Sequence, residues 1–141
     1  MDDQQPRPAR RRISSGTTYE ATVGYSRALR VGDAVFVSGT TAIKDGALVG
    51  GGDAAAQTRQ VLANIAWALD QAGATMGEVV RCRIYVTDIA DWPAVGDELG
   101  KVFGSIRPAN TLVAVSALVD PAMLVEIEVD AIIGSADHPS S

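Results

Sequence analysis

The chain has 141 residues, 47% of them hydrophobic and only 5% aromatic, which fits one domain with a core built mostly from Val, Ile, Leu and Ala. No apolar run approaches the roughly 18 residues that span a bilayer, and the N-terminus lacks the layout of a signal peptide. We therefore expect a cytoplasmic protein that is not membrane-bound, in agreement with its single cysteine, Cys82, which cannot form an internal disulfide.

The net charge of −5 is unevenly distributed, with +2 in residues 1–12 and −7 in the remainder. An acidic body argues against nucleic-acid binding, because nucleic-acid binders usually present a basic face. Two interpretations of the basic segment stay open: contact with RNA or an acidic partner, or a solubilising extension. We favour the extension and predict a disordered tail at residues 1–12, one domain at 13–133 and a flexible tail at 134–141.

The dipeptide Gly32-Asp33 separates two β-prone runs, residues 25–31 and 34–38. Such a two-residue loop is typical of a type II′ hairpin, because glycine accepts the positive φ of the first loop position. The resulting register predicts four facing pairs on one side of the ribbon: Val31 with Ala34, Leu29 with Phe36, Arg27 with Ser38, and Tyr25 with Thr40. A short edge strand is expected before the hairpin, at residues 13–15.

A helix is predicted between the N-cap Asp53 and the C-cap glycine Gly73. Residues at helical spacing predict its buried face: Val61, Leu62, Ile65, Leu69 and Ala72. Trp67 points roughly the opposite way, and two interpretations stay open, contact with another subunit or a singly exposed ring. A second helix should begin near Asp91, with Pro93 in its first turn and an inward face of Val95, Leu99, Val102 and Phe103.

Residues 79–86 alternate as a strand, with Cys82 and Ile84 on one face and Arg81, Arg83 and Tyr85 on the other. Two more strands are expected at residues 112–117 and 124–133. The order hairpin, helix, strand, helix and two strands predicts an α+β fold in which the helices pack on a sheet.

The residue types present argue against several chemistries. The sole histidine, His138, lies in the terminal tail, which argues against ordinary Ser-His-Asp or Cys-His catalysis and against a zinc site. Cys82 alternates with apolar residues, so a buried, inert thiol is expected. No Lys-Ser/Thr pair follows the glycines at 50–52, so no P-loop is present. Carboxylate, hydroxyl, backbone and arginine chemistry remains, and we expect neither a metal nor a cofactor.

Three carboxylates share one face of the last predicted strand: Glu126, Glu128 and Asp130. For Glu128 and Asp130 a solvated outer face is favoured, with Arg81 and Arg83 as partners across neighbouring strands. For Glu126, a solvated side chain and a functional carboxylate are equally well supported by the residues alone.

Several segments, taken in order, carry a resemblance to one family: GYSRA at residues 24–28, VFVSG at 35–39, the helix segments at 57–65 and 72–74, YVTD at 85–88, RPANT at 107–111 and VEIE at 125–128. The chain resembles the Rid family, the RidA/YjgF-type reactive-intermediate deaminases that are also labelled L-PSP endoribonucleases, over about residues 13–133. The resemblance implies a mixed β-sheet with two helices packed on one face, a chorismate-mutase-like or YjgF-like fold. It also implies a homotrimer with its sheets around a central axis and small-molecule clefts between subunits.

What the resemblance implies about activity is cofactor-free hydrolysis of enamine or imine intermediates to a 2-keto acid and ammonia. The family's catalytic glutamate, which holds the attacking water, corresponds to Glu126. The family's tyrosine, which lines the cleft, corresponds to Tyr25. We expect the substrate to be bound by a set of five residues: Tyr25, Ser38, Gly39, Asn110 and Thr111. The family's arginine, which binds the substrate carboxylate, is replaced by Asn110, and asparagine suits a neutral amide or carbonyl group instead.

Two arginines are candidates to compensate for this replacement. Arg107 lies three residues before Asn110, and Arg27 shares the predicted face of Tyr25; for each, a solvated surface position is the alternative. Three hypotheses for the chain therefore stand: an imine-deaminase-type hydrolase with altered substrate choice, a non-catalytic trimeric small-molecule binding or regulatory protein, and an endoribonuclease. The acidic body and the lack of a usable histidine argue against the third.

Overall fold

The computed structural model describes Arg7 and residues 9–137. It contains eight strands: β1 (Arg10–Ile13), β2 (Ala28–Val31), β3 (Ala34–Thr40), β4 (Ile43–Lys44), β5 (Ala47–Leu48), β6 (Val79–Val86), β7 (Ala109–Ala114) and β8 (Val125–Ile132). Three α-helices accompany them: α1 (Thr18–Val23), α2 (Ala54–Gln71) and α3 (Trp92–Phe103). His138 and the other predictions for residues 1–6, 8 and 138–141 lie outside the described residues.

Six of the strands form one sheet in the order β1-β2-β3-β8-β6-β7. The β6–β7 pair is parallel and the other pairs are antiparallel, so the sheet is mixed. Parallel neighbours need a crossover connection, and α3 supplies it between β6 and β7. The predicted α+β fold is confirmed, with α2 packed against β3, β8 and α3 over one face of the sheet.

The core lies between the two long helices and this face of the sheet. Alternate residues of the central strands point into it and are fully buried: Val35, Ile84, Val86, Val125, Ile127 and Val129. The predicted inward face of α2 is confirmed, because Val61, Leu62, Ile65, Leu69 and Ala72 are all buried. Trp67 is 45% exposed, as the helical spacing predicted. Neither α2 nor α3 covers the opposite face of the sheet, which carries the polar residues of β6 and β8.

The hairpin is confirmed at its turn, where Gly32 has a φ of 59° and Val31 lies opposite Ala34. Leu29 likewise lies opposite Phe36. The predicted Tyr25–Thr40 pair is wrong, because the β2–β3 ladder ends at Ala28 and Thr40 instead lies opposite Ile127 of β8. A shift of register in β3 turns Thr40 into the core, where it is 2% exposed.

Contacts extend beyond both ends of the predicted domain, residues 13–133, whose bounds stay a prediction. The first strand begins at Arg10, not at residue 13, because the backbone of residues 10–13 pairs with β2 even though Arg10, Arg11 and Arg12 are exposed. At the other end, the Glu78 carboxylate accepts a hydrogen bond from the backbone of Gly134, so the chain is still attached there. Residue composition does not reveal these long-range contacts.

Other element boundaries are close to the predicted ones, except those of β2 and β7. Strand β2 starts at Ala28, three residues after the start of the predicted run 25–31. The bounds of β6 match, and α2 begins after Asp53, whose side chain accepts a hydrogen bond from the backbone N–H of Ala56 at 3.0 Å. By contrast, β7 starts three residues early, at Ala109, because its backbone pairs with Arg81 of β6. Helix α1 was not predicted.

No helix among the described residues is long and apolar enough to cross a membrane.

Candidate functional site

Glu126 lies on β8, with its side chain on the open face of the sheet. Its neighbours Val125 and Ile127 are fully buried in the core, and the period of two in a strand therefore turns Glu126 to the opposite side. Across the ladder it lies opposite Tyr85 of β6. The side chain is only partly exposed, which requires other groups to cover it.

The register shift in β3 provides part of that cover. Val37 lies opposite Val129 and Thr40 opposite Ile127, so three steps along β3 match two steps along β8, as in a β-bulge. The bulged stretch brings the backbone of Gly39 against the Glu126 carboxylate. A Cβ atom on residue 39 would lie 2.6 Å from Glu126 Oε2 and 2.9 Å from its Cδ. Glycine is therefore required at position 39 for the carboxylate to occupy this position.

Arg27 approaches the same place from the segment that leads into β2. Its Nη2 donates a hydrogen bond to the carbonyl oxygen of Gly39 at 2.8 Å. Its guanidinium carbon lies 5.7 Å from the centre of the Tyr25 ring, within the range of a cation–π interaction. The structure thus brings four of the predicted residues together: Glu126, Gly39, Arg27 and Tyr25. We call these four residues the Glu126 cluster.

The environment raises the pKa of the Glu126 carboxyl above its usual value. Partial burial is the main cause, because it disfavours the charged form. The positive charge of Arg27 opposes this effect, and the negative charge of Glu128 adds to it. A raised pKa makes the carboxylate a stronger base, as acid–base catalysis near neutral pH requires.

Ser38 lies beside the cluster, but its hydroxyl has another partner. The Oγ atom donates to the carbonyl oxygen of Ser26 at 2.7 Å, and the Ser38 backbone N–H donates to the carbonyl oxygen of Arg27 at 3.0 Å. These bonds attach the Tyr25–Arg27 segment to β3. In this chain Ser38 therefore positions Arg27, and its hydroxyl is already engaged.

Asn110 and Thr111 lie elsewhere on the sheet. They belong to β7, aligned with Cys82 and Arg83 of β6, and both are exposed. Strand β6 separates β7 from β8, and Glu126 is aligned three residues further along β6 than Asn110. With about 4.8 Å between strands and 3.3 Å per residue, Asn110 and Glu126 are roughly 14 Å apart. One chain alone does not bring these residues into a common site.

Arg107 is also separate from the Glu126 cluster. It precedes β7 in the turn after α3, where it is exposed and has a φ of 55°. It borders an open cavity of about 220 Å³ whose lining includes Val79, Ile106 and Asp137. Of the two candidate cations, only Arg27 lies next to Glu126 in the same chain.

Tyr85 lies next to Glu126 across the ladder, and the strand pattern alone did not predict its role. Its hydroxyl donates to Glu128 Oε1 at 2.5 Å. Arg83 and Asp130, predicted as partners across neighbouring strands, are 3.4 Å apart and form an ion pair. Strand alternation had placed Tyr85 on this face, but its partner depends on the β6–β8 register.

Within the described part of the chain, no three His, Cys, Asp or Glu side chains are grouped to hold a metal ion.

The fold is that of a known class of proteins. The profile of the family described as Endoribonuclease L-PSP matches residues 16–133. The chain belongs to this family, which also carries the names YjgF, Rid and RutC.

Three relatives define the similarity. The solved structure of a Mycobacterium tuberculosis member of the YjgF/YER057c/UK114 family is 51% identical, with a TM-score of 0.81 over 89% of this chain and all of that one. An uncharacterised Streptomyces coelicolor protein is 37% identical over 90% of this chain and 95% of its own length. The 3-aminoacrylate deaminase RutC of Acinetobacter baylyi is 38% identical over 73% of this chain and 82% of its own.

Proposed function

We propose that the protein is a cofactor-free hydrolase of the enamine/imine deaminase type that acts on a small metabolite. The observation that carries the proposal is the half-buried Glu126 carboxylate, held against Gly39 and beside Arg27, with its pKa raised by burial. The identity of 38% to a 3-aminoacrylate deaminase adds support. We keep the prediction of a cytoplasmic location.

The reaction follows from the chemistry of the carboxylate. Glu126 accepts a proton from a water molecule as the water oxygen attacks the carbon of the protonated imine, which an enamine forms by taking up a proton at carbon. Glu126 then gives this proton to the nitrogen of the carbinolamine. As the C–N bond breaks, Glu126 takes the hydroxyl proton and passes it to the departing ammonia, so that a carbonyl product and ammonium remain. Water is the only co-reactant, and the residue ends in its starting protonation state.

We further propose that the working site forms between subunits of a homotrimer. Glu126 and Asn110 are roughly 14 Å apart within one chain, so both can line one small ligand only if Asn110 and Thr111 come from a second copy. Light scattering after gel filtration tests the subunit number. A monomer at assay concentration would contradict this part of the proposal.

The assay generates 2-iminopropionate in situ with an amino-acid oxidase acting on alanine and follows its decay. We expect wild type to accelerate the decay and Glu126→Ala to return it to the rate without protein, a loss of about 10²- to 10⁴-fold. Undiminished activity of Glu126→Ala would remove this residue from the mechanism.

A second candidate is a non-catalytic trimeric protein that binds or senses a small molecule. The resemblance favours it, because it matches Asn110 to the family's carboxylate-binding arginine. The Asn110→Arg variant separates the two candidates. If this variant hydrolyses 2-iminopropionate and wild type does not, the wild-type protein keeps the cleft but no longer catalyses the reaction. An RNA-cleavage control with wild type and Glu126→Ala tests the endoribonuclease alternative.

A further inference from the structure

We propose that Arg27 binds the anionic group of the ligand, a role separate from that of Asn110, which faces a neutral part of the same ligand. The inference rests on the proposed site at Glu126 and names its substrate class, a small molecule with a carboxylate or similar anion. Three properties of Arg27 carry it: its unused donors, its fixed orientation and its charge.

The donors of Arg27 are only partly used. Its Nη2 donates to Gly39, whereas its Nε is buried and has no hydrogen-bond acceptor within residues 9–137. A buried N–H without an acceptor is unfavourable, and such groups in folded proteins are normally satisfied by a ligand, water or partner. The guanidinium presents its donors in a planar fork that matches a carboxylate.

The guanidinium is also held in place before any ligand binds. The Gly39 carbonyl fixes one side of the group, and the Tyr25 ring lies against it at 5.7 Å. The Arg27 backbone is bound on two sides, since its N–H donates to Ile13 and its carbonyl accepts from Ser38. An arginine fixed in this way loses little conformational entropy when it receives an anion.

Charge gives the third argument. An anionic ligand beside the half-buried Glu126 carboxylate would be repelled unless a cation lies nearby. Two other arginines of the sheet are already engaged: Arg83 is paired with Asp130, and Arg30 donates to the carbonyl oxygens of Gly32 and Ala72. Arg27 has no carboxylate within ion-pair distance in the described part of the chain, and its charge acts on Glu126 from further away.

The test measures binding instead of turnover. Pyruvate, the product expected from 2-iminopropionate, and pyruvamide, its neutral amide, are titrated by ligand-observed NMR into wild type, Arg27→Gln and Arg27→Lys. Arg11→Gln, which removes an exposed arginine from β1, is the matched control. Subunit number and circular dichroism are measured for each variant.

We expect Arg27→Gln to weaken pyruvate binding by about 10- to 150-fold, the range for loss of a charged hydrogen bond. Binding of pyruvamide should change by less than about threefold, because it carries no anion to lose. Arg27→Lys keeps the positive charge but lacks the paired donors of the planar guanidinium, so its loss of pyruvate affinity should be intermediate. This variant tests the inference even if Arg27→Gln does not fold. Arg11→Gln should bind both compounds as wild type does.

Three outcomes would overturn the inference: unchanged pyruvate affinity in Arg27→Gln, equal losses for both compounds, and no pyruvate binding by wild type. The outcome is separable from that of the proposed function. If wild type binds pyruvate through Arg27 but does not hydrolyse the imine, the catalytic proposal fails and this inference stands. If wild type hydrolyses the imine while Arg27→Gln binds pyruvate normally, the reverse holds.

Discussion

The Glu126 carboxylate lies directly against the backbone of Gly39, at a distance that leaves no room for a side chain at position 39. This contact depends on the register shift that separates Val37 from Thr40 in β3. The shift changes the direction of a short stretch of backbone beside the carboxylate, as β-bulges commonly do near functional sites. The position of Glu126 is therefore set by a neighbouring strand as well as by its own.

Gly39→Ala should displace the Glu126 side chain and reduce the proposed activity at least about tenfold. The new Cβ would lie 2.6 Å from Oε2, but that atom is the end of a flexible side chain, so the stability loss should be small, about 1 kcal/mol. Activity and urea denaturation are measured together. Gly51→Ala is the matched control, because nothing lies within 4 Å of a Cβ there. Full activity in Gly39→Ala would show that the close contact has no functional role.

Glu126→Gln should be more stable than wild type at neutral pH. Because burial raises the folded-state pKa of Glu126 above its unfolded value, the neutral form favours folding, and that stability is lost as pH rises through the folded pKa. Glutamine stays neutral throughout, so its advantage should be present at about pH 7 and shrink as pH falls towards about 4. Thermal unfolding at both pH values measures the difference.

Asp97→Asn serves as the control for this experiment, since it removes an exposed carboxylate from α3. Its difference from wild type should be similar at both pH values. A Glu126→Gln variant that is less stable than wild type at neutral pH would mean that attraction to Arg27 outweighs burial.

Tyr85→Phe should destabilise the fold by about 0.5–1.5 kcal/mol, because it removes the hydrogen bond to Glu128 from a partly exposed position. The same bond raises the pKa of the Tyr85 hydroxyl. Glu128→Gln should cost a similar amount, and the double variant less than the sum. Tyr19→Phe, at a tyrosine that is 61% exposed, provides the comparison. Additive effects in urea denaturation would show that the two residues act independently.

Cys82 should be unreactive in the folded protein. Burial, with a smaller contribution from the charge of Asp130, raises the pKa of its thiol to about 12, so at about pH 8 only about one thiol in ten thousand is ionised. A disulfide reagent should therefore label the native protein at least about a hundredfold more slowly than the unfolded chain. Rapid labelling of the native state would indicate that β6 opens frequently.

Local patterns predicted the elements whose boundaries depend on nearby residues. Asp53 marked the start of α2, alternation marked β6, and the Gly32-Asp33 turn set the first pairs of the hairpin. Gly73, predicted as the C-cap, instead follows the C-cap residue Ala72. The motifs around these elements also identified the family, since their order along the chain is a property of the sequence. Glu126 was placed on the open face of its strand by a period of two.

Tertiary structure decided the rest, because those features depend on strands that are distant in sequence. Strand β1 begins at Arg10 because β2 pairs with it, and Thr40 turns inward because β3 shifts against β8. The separation of Asn110 from Glu126 follows from β6 lying between their strands. Partial burial, set by residues far apart in the chain, raises the pKa of Glu126, and a single sequence carries no local signal for such packing.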